Sequence, residues 1–152
     1  MIRRHVAAIT LFLLVLGTLA ACATLGDQAS MSPSLYKRLG GREGIAQVVD
    51  DFVAAMAADP RTKGRFAAMQ PVAVFKLRSN LADQICDATG GPCSYLGRDM
   101  KTVHTGMGVS EAEWNATVES LVKAMNKFKV GEKEQKELIA IVAPMKGDIV
   151  GR

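Results

Sequence analysis

The sequence predicts an all-α domain behind an export leader and a short tether. Three observations predict it. Apolar residues recur at three- and four-residue spacing in each long segment after residue 35. No run shows sustained strand alternation, and no internal repeat is present. Four of the five prolines, Pro33, Pro60, Pro71 and Pro92, fall in gaps between the periodic segments, where they break nothing.

The leader comes first. Arg3, Arg4 and His5 give a basic start, Val6 opens an apolar run through Leu16, and Ala20 and Ala21 precede Cys22. A transmembrane helix needs about 20 apolar residues, more than this run supplies. Residues 1–21 therefore read as a signal peptide, the alternative being a weak anchor helix that stays in place. Leu19-Ala20-Ala21-Cys22 resembles the lipobox of bacterial lipoproteins, which implies cleavage before Cys22 and lipidation of its thiol. The chain is then expected on a membrane of the cell envelope, facing the periplasm. Ala23 leans the sorting towards the outer membrane. Residues 22–34 are small and polar without apolar period and read as a flexible tether, the 12 residues from Ala23 reaching about 40 Å when extended.

The elements of residues 35–152 follow in order. Residues 35–39 are a short helical piece ended by Gly40-Gly41. Residues 43–58 form an amphipathic helix with Ile45, Val48, Val49, Phe52, Val53 and Met56 on its stripe, stopped by Asp59-Pro60. Residues 61–69 are turn-rich and carry Phe66. Pro71–Ala88 is the next helix, with Val74, Leu77, Leu81 and Ile85 on one face. Residues 90–97 are a loop, and 98–105 a short helix closed by Gly106 and Gly108. Ser110-Glu-Ala-Glu113 is a capping box that starts a helix over 111–128. A last helix is expected to run unbroken over 132–150.

Charge and cysteine usage narrow the function. The formal charge of +4 falls to +2 once Arg3 and Arg4 leave with the leader, too little for a nucleic-acid footprint. Cys86 and Cys93 lie across a Gly90-Gly91-Pro92 turn, and export would place them where disulfides persist. A bridge or two free thiols are the readings; with one histidine nearby they make a weak zinc site. No nucleophile–base pair is recognisable, carboxylates lie mainly on polar helix faces, and neither glycine pair carries a phosphate-loop lysine.

Loss of the leader leaves one histidine, His104, with Met100 four residues before it and Met107 three after. On a helix those three share a face. An imidazole flanked by thioethers suits a flat apolar cofactor bound through its metal; alone, it could equally be a histidine satisfied in an ordinary core.

The stretch from Tyr36 onward resembles the group I truncated haemoglobins. Tyr36-Lys-Arg-Leu-Gly-Gly41 resembles the family's opening motif and Val49-Asp-Asp-Phe52 its second helix. Phe66 falls at the haem-wedging phenylalanine, Ala88-Thr-Gly-Gly-Pro92 with Tyr95 and Gly97 at the second glycine-pair loop, and Arg98-Asp-Met-Lys-Thr-Val-His104 at the proximal segment. The resemblance covers about 115 residues. It implies a truncated globin, a two-over-two helical sandwich in which the second and fourth helices pack across the two long C-terminal ones around haem b.

His104 is then the proximal iron ligand. Leu77, Leu81 and Ile85 would cover the distal side, with Met100 and Met107 approaching from the proximal side and Phe66 against the ring. Trp114 reads as pocket or core. Tyr95 reads as a propionate contact or a loop-packing tyrosine.

The family's usual distal tyrosine is here Val53, and positions often held by glutamine are Leu77 and Leu81. Gln84 lies one residue off the facing position, either swung in or solvated at the helix edge. Loss of a charge-assisted donor to bound oxygen is commonly worth about 1.5–3 kcal/mol, roughly one to two decades in affinity. The expectation is a donor-poor globin that binds O₂, NO and CO in gas binding or detoxification at the cell envelope, with NO dioxygenase or peroxidase-like chemistry as a side activity. The alternatives are a haem-based sensor or electron-transfer lipoprotein served by an unidentified reductase or redox partner, and a haem-free structural lipoprotein.

Overall fold

The computed structural model describes residues 32–152; the leader, Cys22 and most of the tether lie outside the described residues. The described chain folds as helices α1 (Leu35–Arg38), α2 (Gly41–Ala58), α3 (Pro71–Ala88), α4 (Met100–His104), α5 (Glu111–Lys127), α6 (Glu132–Val142) and α7 (Lys146–Ile149). Two 3₁₀ turns, Lys63–Arg65 and Ala143–Met145, join them. Among the described residues there is no strand beyond one isolated bridge, between Val109 and Val150, and no helix is long and apolar enough to cross a membrane.

The last tether residues are bonded to α1. The Ser34 side chain caps α1 by accepting from the Lys37 N–H (3.5 Å), and Arg38 donates to the Pro33 carbonyl (2.6 Å). The chain then reverses at Gly40 and Gly41, whose φ values of +85° and +67° suit glycine. The reversal lays the Leu39 carbonyl on Gly44, where an added Cβ would stand 2.2 Å from that oxygen.

Helix α2 is the central element. Its apolar stripe (Ile45, Val48, Val49, Phe52, Val53 and Met56) is buried along its whole length, against α5 on one side and α3 on the other. The partners are Ala82 and Cys86 from α3, Leu121, Ala124 and Met125 from α5, and Leu138 from α6. Alanines among these positions let the helices cross closely.

The expected single helix over 132–150 is a correction. Helix α6 ends at Val142, a 3₁₀ turn follows, and α7 is a separate short piece. Pro144 is the cause: it lacks an N–H, and in a continuing helix its ring would meet the carbonyl four residues back. The break turns α7 against α4. There Gly151 N–H donates to the Val109 carbonyl (2.9 Å) and Gly108 N–H to the Arg152 carbonyl, so the last residues clasp the segment that follows His104. The short helix also starts later than expected, at Met100 rather than Arg98. The Asp99 carboxylate accepts from Thr102 N–H (2.9 Å) and Thr102 Oγ1 (2.6 Å), fixing it as the cap.

The Leu39–Gly44 contact gives a stability test with an internal control. Gly44→Ala is expected to lower stability by about 1–3 kcal/mol through overpacking against backbone. Gly64→Ala, where an added Cβ meets nothing within 4 Å, should leave the denaturant midpoint nearly unchanged. Equal shifts in the two variants would remove the tight-turn account.

Candidate haem site

A cavity of about 330 Å³ opens between α3, α4, α5 and the α6–α7 region. Its wall is overwhelmingly apolar. Phe66, Leu77, Leu81, Gln84, Ile85, Met100, His104, Met107 and Trp114 all line it, so nine of the residues picked out from sequence converge on one space. A second cavity of about 280 Å³ between α5 and α6 shares Trp114, Val118 and Val142 with the first wall.

His104 ends α4, half-buried. Its Nδ1 lies 2.8 Å from the Met100 carbonyl oxygen, one helical turn back. A carbonyl can only accept, so in the neutral ring Nδ1 carries the proton and Nε2 keeps its lone pair. That is the tautomer a metal needs, with the ring orientation set by the backbone. An apolar slot with one imidazole on its described wall fits a flat apolar macrocycle bound through its metal.

Two further choices, Val53 and Tyr95, do not line this cavity. Val53 is not among the lining side chains; it is buried at 1% exposure in the α2 core. Successive helical residues are rotated by about 100°, and the cavity takes Phe52 and Met56, four apart on the neighbouring stripe. Tyr95 is also absent from the wall. Its hydroxyl donates to the Arg98 carbonyl (2.8 Å) and its N–H to Asp87 (3.0 Å), so it closes its own loop.

Gln84 reaches the wall, half-buried, with Nε2 4.0 Å from the Met145 sulfur, a weak acceptor at the limit of contact. Cys86 and Cys93 are joined as a disulfide with Cα atoms 5.8 Å apart. Cys86 is fully buried next to Ile85, and the bridge ties the end of α3 to the loop that leads to α4. Tyr36 braces the same corner. Its N–H donates to the Thr89 carbonyl (2.9 Å), and its hydroxyl accepts from Arg42 N–H (3.1 Å). Gly91 lies so close that a Cβ there would stand 2.6 Å from both the Cys86 sulfur and the Tyr36 ring.

Sequence reasoning passed over Arg65 and Glu113, which face the cavity at its mouth. Arg65 Nε and Nη2 donate to the two Glu113 carboxylate oxygens (2.6 and 3.0 Å), and Nη1 donates to the Met107 carbonyl (2.7 Å). Glu113 also accepts from Ser110 N–H (2.8 Å), completing the capping box of α5. The Arg65 guanidinium, then the Ser110 backbone, hold the Glu113 carboxyl down to about 2 from an ordinary 4.5. The available signal was an arginine directly before Phe66 and an acid at the third capping position.

The model of a family described as bacterial-like globin matches residues 34–150. A group 1 truncated hemoglobin of Mycolicibacterium paratuberculosis is 28% identical over 116 residues, 76% of this chain and 83% of that protein. One from a Synechocystis species is 30% identical over 118 residues, 75% and 90% of the two chains. Among solved structures, the truncated hemoglobin of Tetrahymena pyriformis in its Fe(III) form superposes with a TM-score of 0.73 at 23% identity, over 79% of this chain and all of that one. The 2/2 hemoglobin of a Synechococcus species, cyanomet with covalently attached heme, gives 0.71 at 25% identity over 79% of this chain and all of that one.

The Glu113 geometry sets a pH dependence. Its folded pKa is depressed, so its contribution to stability is complete above about pH 4.5 and is lost as pH falls towards 2. Denaturant midpoints of wild type and Glu113→Gln across that window should show a shallower acid loss in the variant. Part of the slope should survive, since Asp59, held to about 2 by Arg61, titrates in both. Identical slopes would mean the Arg65 pair is not linked to folding.

Proposed function

The chain belongs to the group 1 truncated haemoglobins within the bacterial-like globins, haem is its cofactor, and we propose that His104 is the proximal ligand of a donor-poor site for diatomic gases. The observation that carries this reading is the His104 ring itself: Nδ1 is committed to the Met100 carbonyl, and Nε2 is left with its lone pair in the wall of an apolar cavity. Bound haem would supply the iron chemistry for a diatomic gas. The chain supplies orientation, water exclusion and selectivity.

On the proximal side, α4 and its Asp99 cap fix the imidazole, while Met100 and Met107 flank it at helical spacing. On the α3 side, Leu77, Leu81 and Ile85 offer only carbon, and Gln84 is the one amide in the wall. An apolar enclosure would keep water away from the bound cofactor. It leaves the Gln84 amide, held only weakly by the Met145 sulfur, as the one amide of the described wall that could supply the hydrogen bond favouring oxygen over carbon monoxide and nitric oxide. The reading is a gas-binding or gas-detoxifying globin with weak retention of oxygen.

Its place in the cell belongs to the same proposal. The basic and apolar leader, the Leu19–Cys22 lipobox pattern and the polar stretch before Pro33 support a globin held on the envelope through a lipidated Cys22. In a bacterial host, wild type should sediment with membranes and Cys22→Ser should appear in the soluble fraction; the same distribution for both would end the anchoring proposal.

The decisive experiment on the site is spectroscopic. Residues 32–152 loaded with haem should give a Soret band and a histidine-type ferrous-CO spectrum, both lost or strongly altered in His104→Ala. Oxygen should leave the ferrous protein quickly, with carbon monoxide bound far more tightly. A wild type and variant with the same spectrum would remove His104 from the iron. Slow oxygen release would overturn the donor-poor reading.

A further inference from the structure

Haem carries two carboxylates, and in an apolar pocket these must end at the mouth, where each needs water or a cation. Of the side chains lining this cavity within residues 32–152, Arg65 alone carries an amine or guanidine positive charge. Tyr95, the residue the sequence offered for that role, is turned to the Arg98 carbonyl. Resting on the haem reading above, we propose that Arg65 is this chain's anchor for a haem propionate, and that Glu113 holds its guanidinium in position for that carboxylate.

The donor arrangement supports this. A guanidinium has five N–H groups. Nε and Nη2 engage Glu113; Nη1 and Nη2 also reach the Met107 and Gly108 carbonyls (2.7 and 3.4 Å). One Nη1 hydrogen is left over, on a side chain that is 36% exposed at the opening. Glu113 does not depend on Arg65 for its own position, because Ser110 N–H and Oγ hold the same carboxylate at 2.8 and 2.9 Å.

Sharing one arginine between two carboxylates is already a habit of this chain. Arg38 pairs with both Glu134 and Glu137, and Arg61 with both Asp59 and Glu119. A propionate on Arg65 would make a third such triad. It would also connect the cofactor to the Met107–Gly108 backbone directly after His104, and to the turn that carries Phe66.

The competing account makes Arg65 a plain structural clamp between that turn and α5. The two separate when haem and haem dimethyl ester, whose propionates carry no charge, are each bound to wild type, Arg65→Lys and Arg65→Ala. Loss of each cofactor to excess apoglobin is then followed by absorbance. Arg65→Ala should speed loss of haem about ten- to a hundredfold, the range for a charged hydrogen bond, and leave loss of the ester within about twofold of wild type. Arg65→Lys, which keeps the charge but not the fork, should fall between for haem and again leave the ester unchanged. Equal acceleration of both cofactors, or of neither, overturns the anchor. A wild type that takes up no haem overturns it together with the haem reading, and that outcome is visible before any variant is made.

Discussion

An apolar cavity of about 330 Å³ is the constraint around which the remaining structure is arranged. Protein interiors are packed like organic crystals, whereas the apolar wall of this open cavity lacks partner atoms on one side. The wall is therefore propped by elements that pack well elsewhere, and a bound cofactor would supply the missing contacts. Helix α2 does the propping: one stripe is committed to α3 and α5, and only Phe52 and Met56 are lent to the cavity. The cofactor is thus part of the core as well as the reactive group.

The props gather at two corners. At one, Tyr36, the two glycine pairs and the Cys86–Cys93 bridge draw the end of α3, the start of α2 and the loop before α4 together. At the other, Arg65, Glu113 and the Ser110 cap tie the Phe66 turn to the start of α5 and to the segment after His104. Each corner links an element beside Leu77, Leu81 and Ile85 to one beside the imidazole. A rigid separation between the two faces of a planar cofactor follows from these ties, since α4 is only five residues long and has little helical stability of its own.

Much of this was legible in the sequence, and the misses have physical causes. Helical periodicity located α2, α3 and α5, because an amphipathic stripe of three or more turns is a strong signal. The Ser110–Glu113 spacing placed the start of α5 at the residue observed. The motif around His104 brought Met100, Met107 and the α3 leucines to one cavity. The final helix was read too long because apolar residues keep helical spacing through Met145, which masks the break at Pro144. Val53, singled out through the resemblance, packs in the α2 core while Phe52 and Met56 of the same helix reach the cavity. Of the two readings of Tyr95, the loop-packing one is observed. Arg65 carried only a faint signal, its place directly before Phe66, because its role comes from a partner 48 positions away.

The clasp at the end of the chain makes its two termini unlike handles. Val150, Gly151 and Arg152 are bonded to Val109 and Gly108, five and four residues beyond the histidine, whereas Pro33 and Ser34 are bonded to α1. Any load, fused domain or immobilising surface attached after Arg152 therefore pulls on the imidazole's own support, while one attached ahead of Pro33 does not. Strain applied from behind would be felt first at the segment that supports His104.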